Sequence, residues 1–342
     1  MSTGKPTQWQ LPSAGEFLAD VEAMIWGGGG MIGVDAAMPP GLACEVARRM
    51  RDDMTVTQVA ATADDQPLAS LCGATGVGVD LGAFAAMSGA LVIVDLTGLD
   101  TAAARPWATF LPRFHEVRNA LPCGIALVAL CPPHFVPKGL PRLQMSGRIR
   151  RGDAMIWAEF GVGTQNSDVV THLAVSLAVE LCGWRLDLIE DLVSQRPEDI
   201  LDPRGWLRRN SDLRSDLVAS FAGKPFACPI SLMADGKVAE VEHRIWKAQV
   251  SAVFPWIEQQ RLQCIDHFRK SLRLDEQAAK LGVTQVEDLE FGALKYQLRS
   301  TASRNQSELI SAFATMRNAL AHRKPVAPAD LGFALSAAPA FG

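Results

Sequence analysis

Short apolar runs alternate with amphipathic stretches through the first half of the chain. Residues 14–25 carry apolar side chains at helical spacing and are followed by Trp26 and four glycines, which read as flexible punctuation. Residues 31–34 read as a strand, 35–41 as a loop and 42–50 as a helix. Strands are expected at 56–60, 91–95 and 125–130, and helices at 81–87 and 102–119. Residues 154–158 read as a fifth strand, ahead of a long helix over 168–183. Strands alternating with helices predict an α/β domain built on an open, mostly parallel sheet over residues 1–210.

The second half is patterned for helices. Residues 201–207 read as a turn that closes the first domain with Trp206 as an anchor. A connector over 211–236 mixes a polar helix (213–221) with Gly223, Pro225, Pro229 and Gly236. From 238 to 272 a long helical pattern carries Val241, Ile245, Ala248 and Ala252 on one stripe, and Pro255 is expected to kink or split it. Further helices are expected at 287–299 and 305–322, the second capped by Asn305 with Glu308. These make an all-α helical bundle over 237–326. The Ala/Pro-rich tail, 327–342, carries Leu331, Phe333, Leu335 and Phe341 and is expected to dock on its own domain or on a partner.

One stretch of that bundle carries candidate chemistry. Leu309, Phe313, Met316 and Leu320 form the buried stripe of the last helix, and Arg317 lies in the neighbouring row among small residues. Pro325 ends the helix just after His322, so Arg317, Asn318 and His322 sit near its end. An arginine there either pairs with a carboxylate or stabilises charge on a phosphate, and the histidine either answers the helix dipole or moves protons. The spacing resembles the Arg-x4-His signature of the HEPN family, with a polar residue after the arginine. That resemblance implies a helical domain whose members include metal-independent ribonucleases acting as dimers, with Arg317, Asn318 and His322 as catalytic residues.

The first domain invites a second comparison. Laid against the phosphate loop G-x-x-x-x-G-K-[ST], residues 36–43 keep only Gly41; Leu42 replaces the lysine and Ala43 the hydroxyl. Pro39 and Pro40 remove two N–H donors from a loop that works by donating them. Asp95 ends the third strand and is followed by Leu96. The layout over about residues 20–210 resembles a P-loop NTPase of the AAA/STAND type. Its lost positions imply a degenerate, inactive STAND-like domain with no ATP hydrolysis, cofactor or metal. Both families are frequent in bacterial conflict and antiphage systems, and that context follows from the resemblance alone.

Composition narrows the partners. With 48% hydrophobic and 20% charged residues the 342-residue chain is ordinary globular protein, and a net charge of −4 gives no general pull toward nucleic acid or membrane. Between His134 and Arg151 five cations (Lys138, Arg142, Arg148, Arg150, Arg151) occur without an acid, a solvated loop or a contact surface for an acidic partner or RNA. Seven scattered cysteines without a C-x-x-C pair read as buried thiols in a reducing compartment. His115 and His172 lack a partner at metal-ligand spacing. The first six residues do not read as a signal peptide and the apolar run 121–130 is too short to span a bilayer, so a cytoplasmic protein is expected. The functional expectation is a non-hydrolysing adaptor or regulator that binds partner proteins of its own system and self-associates through the helical domain. The alternative is a HEPN-type RNase using Arg317 and His322.

Overall fold

Five parallel strands form the sheet of the first unit in the computed structural model, which describes residues 6–163, 168–280, 282–337 and 341. They are β1 (Gly29–Gly33), β2 (Thr55–Ala60), β3 (Ala90–Asp95), β4 (Ala126–Cys131) and β5 (Arg142–Gln144), in the order β2-β3-β4-β1-β5. β1 begins inside the glycine run. Gly29 has φ +103°, and a side chain there would collide with the Leu127 carbonyl of β4. These glycines are therefore the condition for strand pairing, not flexible punctuation.

Helices cover both faces. α1 (Pro12–Trp26) and α2 (Leu42–Met50) contact each other and β1, β4 and β2. On the other face lie α3 (Pro67–Thr75), α4 (Leu81–Ala85) and α5 (Arg105–Asn119). There Met31, Val92, Val94 and Leu127 meet Leu71, Phe84, Trp107 and Phe114 in one core. Each large apolar side chain buried this way contributes about 1.5–3 kcal/mol before chain entropy is counted. A hairpin, β6 (Val218–Phe221) and β7 (Lys224–Ala227), follows much later in the chain. Ala222 (φ 51°) and Gly223 (φ 76°) form its two-residue turn with both φ positive, the hand that matches strand twist. This replaces the helix expected over 213–221: Val218 and Ser220 are exposed while Ala219 and Phe221 are buried, a period of two.

By contacts, unit one is Met1–Asp153 with Leu217–Phe226, and unit two is Ala154–Asp216 with Ala227–Gly342. Unit two is helical. α6 (Arg151–Val162) replaces the strand expected at 154–158. Asp153, Ala154, Trp157 and Ala158 are buried while Met155, Ile156, Glu159 and Phe160 are exposed, a helical period. The sheet takes residues 142–144 as its fifth strand instead. α7 (Val169–Leu177) runs directly into a π turn at Ala178–Cys182 and ends at Gly183 (φ 62°), so the helix expected over 168–183 keeps its bounds but changes its winding over the last five residues. α8 (Leu186–Val193), α9 (Pro197–Leu201) and α10 (Pro203–Arg209) follow, and Trp206, fully buried within α10, donates to Asp191 at 2.7 Å.

After α11 (Pro229–Ala234), α12 (Val238–His267) runs for 30 residues and is not split at Pro255. α12 packs on α7 and on α15 (Arg304–Ala321), so residues 169–177 share a core with the C-terminal helices. α13 (Glu276–Lys280) and α14 (Phe291–Gln297) lie between, and the helix expected over 287–299 is shortened to α14 after a 3-10 turn at Val286–Asp288. The cap of α15 is Ser303 with Gln306, two residues ahead of the expected Asn305 pairing. α16 (Pro328–Ala337) packs on α15 and α9, burying Leu331 and Ala334, and the Phe341 ring lies 6.4 Å from Phe268. The described part of the tail thus docks on its own unit, while 338–340, 342 and the N-terminal residues 1–5 lie outside the described residues.

Candidate functional site

Open α/β sheets take ligands at the carboxyl ends of their strands, where successive connections leave in opposite directions. Here that place lies between β1 and β4: the chain leaves β1 toward β2 at one edge and leaves β4 across β1 toward β5. The loop after β1 is closed by its own groups. Asp35 Oδ1 accepts from Ala37 N at 2.8 Å, and the Pro40 carbonyl accepts from the Trp9 indole at 2.7 Å. Leu42, where a phosphate-binding lysine would stand, is 5% exposed and belongs to the core. Burial raises the Asp35 carboxyl above the usual aspartate range, against the pull of the Ala37 N–H, the Ser146 hydroxyl and the Arg142 charge. On β3 the Asp95 carboxylate turns back onto Thr97, accepting from its N–H at 2.9 Å and its hydroxyl at 2.6 Å. Both acids of this rim are engaged by the loops that carry them.

The basic run is largely matched within unit one. Arg150 grips Glu16 with two hydrogen bonds of 2.9 and 2.5 Å, and Arg148 donates to Asp20 at 2.5 Å while lying over the Phe17 ring. Arg142 donates to the Pro133 carbonyl at 2.8 Å, and Arg151 also has partners. Lys138 alone of the five is without a partner among the described residues. Acids from α1, more than a hundred positions earlier, supply the counter-charge, so sequence proximity made the run look more basic than its surroundings are.

In unit two, α15 places its three motif residues differently. Arg317 is half-buried, donates to Glu290 Oε1 at 2.6 Å, and stands 3.5 Å from Glu258 Oε1 of α12 in an ion pair without a hydrogen bond. Glu258 in turn accepts from Arg261 at 2.9 Å, and Arg261 also donates to the Leu289 carbonyl. Arg317 is therefore a tie between α12, α14 and α15. Asn318 is exposed, and His322 is the exposed C-cap residue. Arg323 follows at φ 58°, with Lys324 N bonded to Ala319 O at 2.9 Å and Arg323 N to Leu320 O at 3.1 Å, a Schellman closure. The His322 N–H donates to the Asn318 carbonyl at 3.0 Å as part of the helix end, but among the described residues no side-chain hydrogen bond or ion pair joins Arg317, Asn318 and His322 to one another.

Sequence reading missed the residues that complete these places. Glu258 and Glu290 lie far from Arg317 along the chain, and Trp9 and Ser146 carry no motif; the unmatched Arg317 beside apolar neighbours was the one available signal. Among the described residues no group of three His, Cys, Asp or Glu is placed to hold a metal ion, and no helix is long and apolar enough to cross a membrane. No protein-family model matches the chain, and no curated protein or solved structure matches it with significance.

Proposed function

We propose that the chain is a non-hydrolysing, NTPase-like adaptor that regulates partner proteins, in the bacterial conflict setting that its family resemblances imply. The observation that supports this best is the occupied rim between β1 and β4. A phosphate loop needs free N–H donors, a lysine and a hydroxyl. This rim offers two prolines, a core leucine and an alanine, with its carbonyl and carboxylate groups already engaged. The five-stranded parallel order supports descent from a nucleotide-binding layout, and self-association through residues 237–342 belongs to the same proposal.

The test combines turnover with assembly. Purified full-length protein is expected to show no magnesium-dependent ATP hydrolysis, and its complex with the products of flanking genes should form equally well without nucleotide. Turnover abolished by Asp95→Asn, or a complex that requires ATP, would overturn the proposal.

A second reading, metal-independent RNA cleavage by Arg317 and His322 with Asn318, has one observation in its favour. Asn318 and His322 are exposed at the end of α15 with no side-chain partner among the described residues. Against it, Arg317 is already held by Glu290 and Glu258 and must leave them to meet a phosphate.

A further inference from the structure

Unit one has a cavity at the carboxyl edge of its sheet that the proposed function leaves unused. It is an open hollow of about 220 Å³ between the start of α5 and the loop after β4. Its lining combines apolar residues, among them the buried Ala104 and Phe135 and the half-buried Ala108, with the exposed polar residues Thr101, Arg105 and His134. The volume is below the roughly 300–1,000 Å³ of pockets that hold drug-sized ligands, so any occupant is compact.

The charges of the lining set its chemistry. Arg51 and Arg113 have no side-chain partner among the described residues, whereas several other arginines of this unit are matched by acids: Arg48 and Arg49 by Glu45 and Glu22, Arg148 by Asp20, Arg150 by Glu16. Arg105 and His134 are not, and neither is Lys138 just beyond the cavity; none has a side-chain partner among the described residues. The nearest acid along the chain, Asp100, spends its Oδ1 on the N–H groups of Ala102 and Ala103, each at 2.8 Å. The first turn of α5 adds the positive end of a 15-residue helix to the same side. A hollow lined by apolar side chains together with unmatched donors is complementary to a small molecule with one anionic head and a short hydrocarbon body.

We propose that this cavity binds a compact organic oxyanion, with Arg105 as its main anchor, Thr101 and His134 as further donors, and the hydrocarbon part resting on Ala104, Ala108 and Phe135. None of its lining residues is among those that engage the rim between β1 and β4, so nucleotide binding or its absence does not decide it. A carboxylate and a phosphomonoester share the required head.

The test follows backbone amide shifts of Thr101, Arg105, Phe135 and Val136 in the isotope-labelled full chain. The probes are butyrate, butyl phosphate, inorganic phosphate and butanol. At least one of the two amphiphilic anions is expected to saturate with a dissociation constant of about a millimolar or below. Inorganic phosphate should bind more weakly and butanol not at all. Arg105→Gln should weaken binding about tenfold, the value of one charge-assisted contact, with the melting temperature unchanged. His134→Gln should weaken it by less. No saturable shift with either amphiphilic anion, butanol binding as well as butyrate, or an Arg105→Gln variant that binds normally would each overturn the assignment.

Discussion

Arg317 donates to Glu290 across 2.6 Å, fastening the C-terminal part of α15 to the N-cap residue of α14. Because Glu258 of α12 stands on its other side, one guanidinium meets carboxylates from two further elements. Arg317→Ala is expected to cost about 1 kcal/mol, the scale of a part-exposed pair, seen as a lower denaturation midpoint. Arg317→Lys should recover only part of this, since an ammonium lacks the fork that reaches two acids. An Arg317→Ala protein of undiminished stability that had lost an RNA-cleaving activity would favour the catalytic reading.

Arg323 occupies a left-handed backbone position that closes α15, where glycine is the usual residue. Arg323→Gly should stabilise the protein by about 0.5–1 kcal/mol, the relieved strain less the chain entropy that glycine adds to the unfolded state. Thermal melting checks this. A loss of stability would mean that the exposed arginine side chain contributes more than its backbone conformation costs.

The thiols separate into two groups, which corrects the expectation that all are buried. Cys44 and Cys123 are exposed, while Cys72, Cys131, Cys182, Cys228 and Cys264 are buried. Burial pushes the Cys131 and Cys264 thiols up to about 12, far from the reactive thiolate form. A thiol-specific chromogenic reagent should therefore label two residues quickly in the native protein and the other five only on unfolding. Rapid labelling of a third thiol would place a local opening at that site.

Much of the sheet is legible because β3, up to its final Asp95, and β4 are β-branched and leucine-rich apolar runs, as strands buried on both faces are. β5 is not legible: Arg142-Leu-Gln has one apolar residue and joins the sheet only because β1 offers it an edge. The run Ala154-Met-Ile-Trp-Ala is ambiguous in principle, since a short apolar stretch suits a strand or a helix, and the helix leaves Met155 and Ile156 exposed. At α15 the buried stripe and Arg317 are visible in the pattern. The acids that occupy Arg317 are not, because they come from other helices and only tertiary packing brings them near.

Asp35 yields a pH prediction with a definite sign. Its carboxyl is raised in the folded state, chiefly by burial, so the fold favours its protonated form. The stability it contributes is complete below the ordinary aspartate value of about 4 and is lost as pH rises through the raised one. Asp35→Asn keeps an oxygen for the Ala37 N–H and does not titrate. Its denaturant midpoint relative to wild type should rise between about pH 4 and neutrality. A relative midpoint that stays flat or falls over that interval would show that Arg142 outweighs burial.

The β6–β7 hairpin belongs by contacts to the first unit, although residues 154–216 of the second unit precede it. Order of synthesis therefore matters. On the ribosome the first unit has its sheet and flanking helices by Asp153 but must wait for the next sixty or so residues before its last piece is made. Helices α6 to α10 emerge during that wait and are themselves incomplete until α12 arrives to pack on α7. The two units thus mature in an interleaved order, and a nascent chain paused between Asp153 and Leu217 exposes unfinished surface on both.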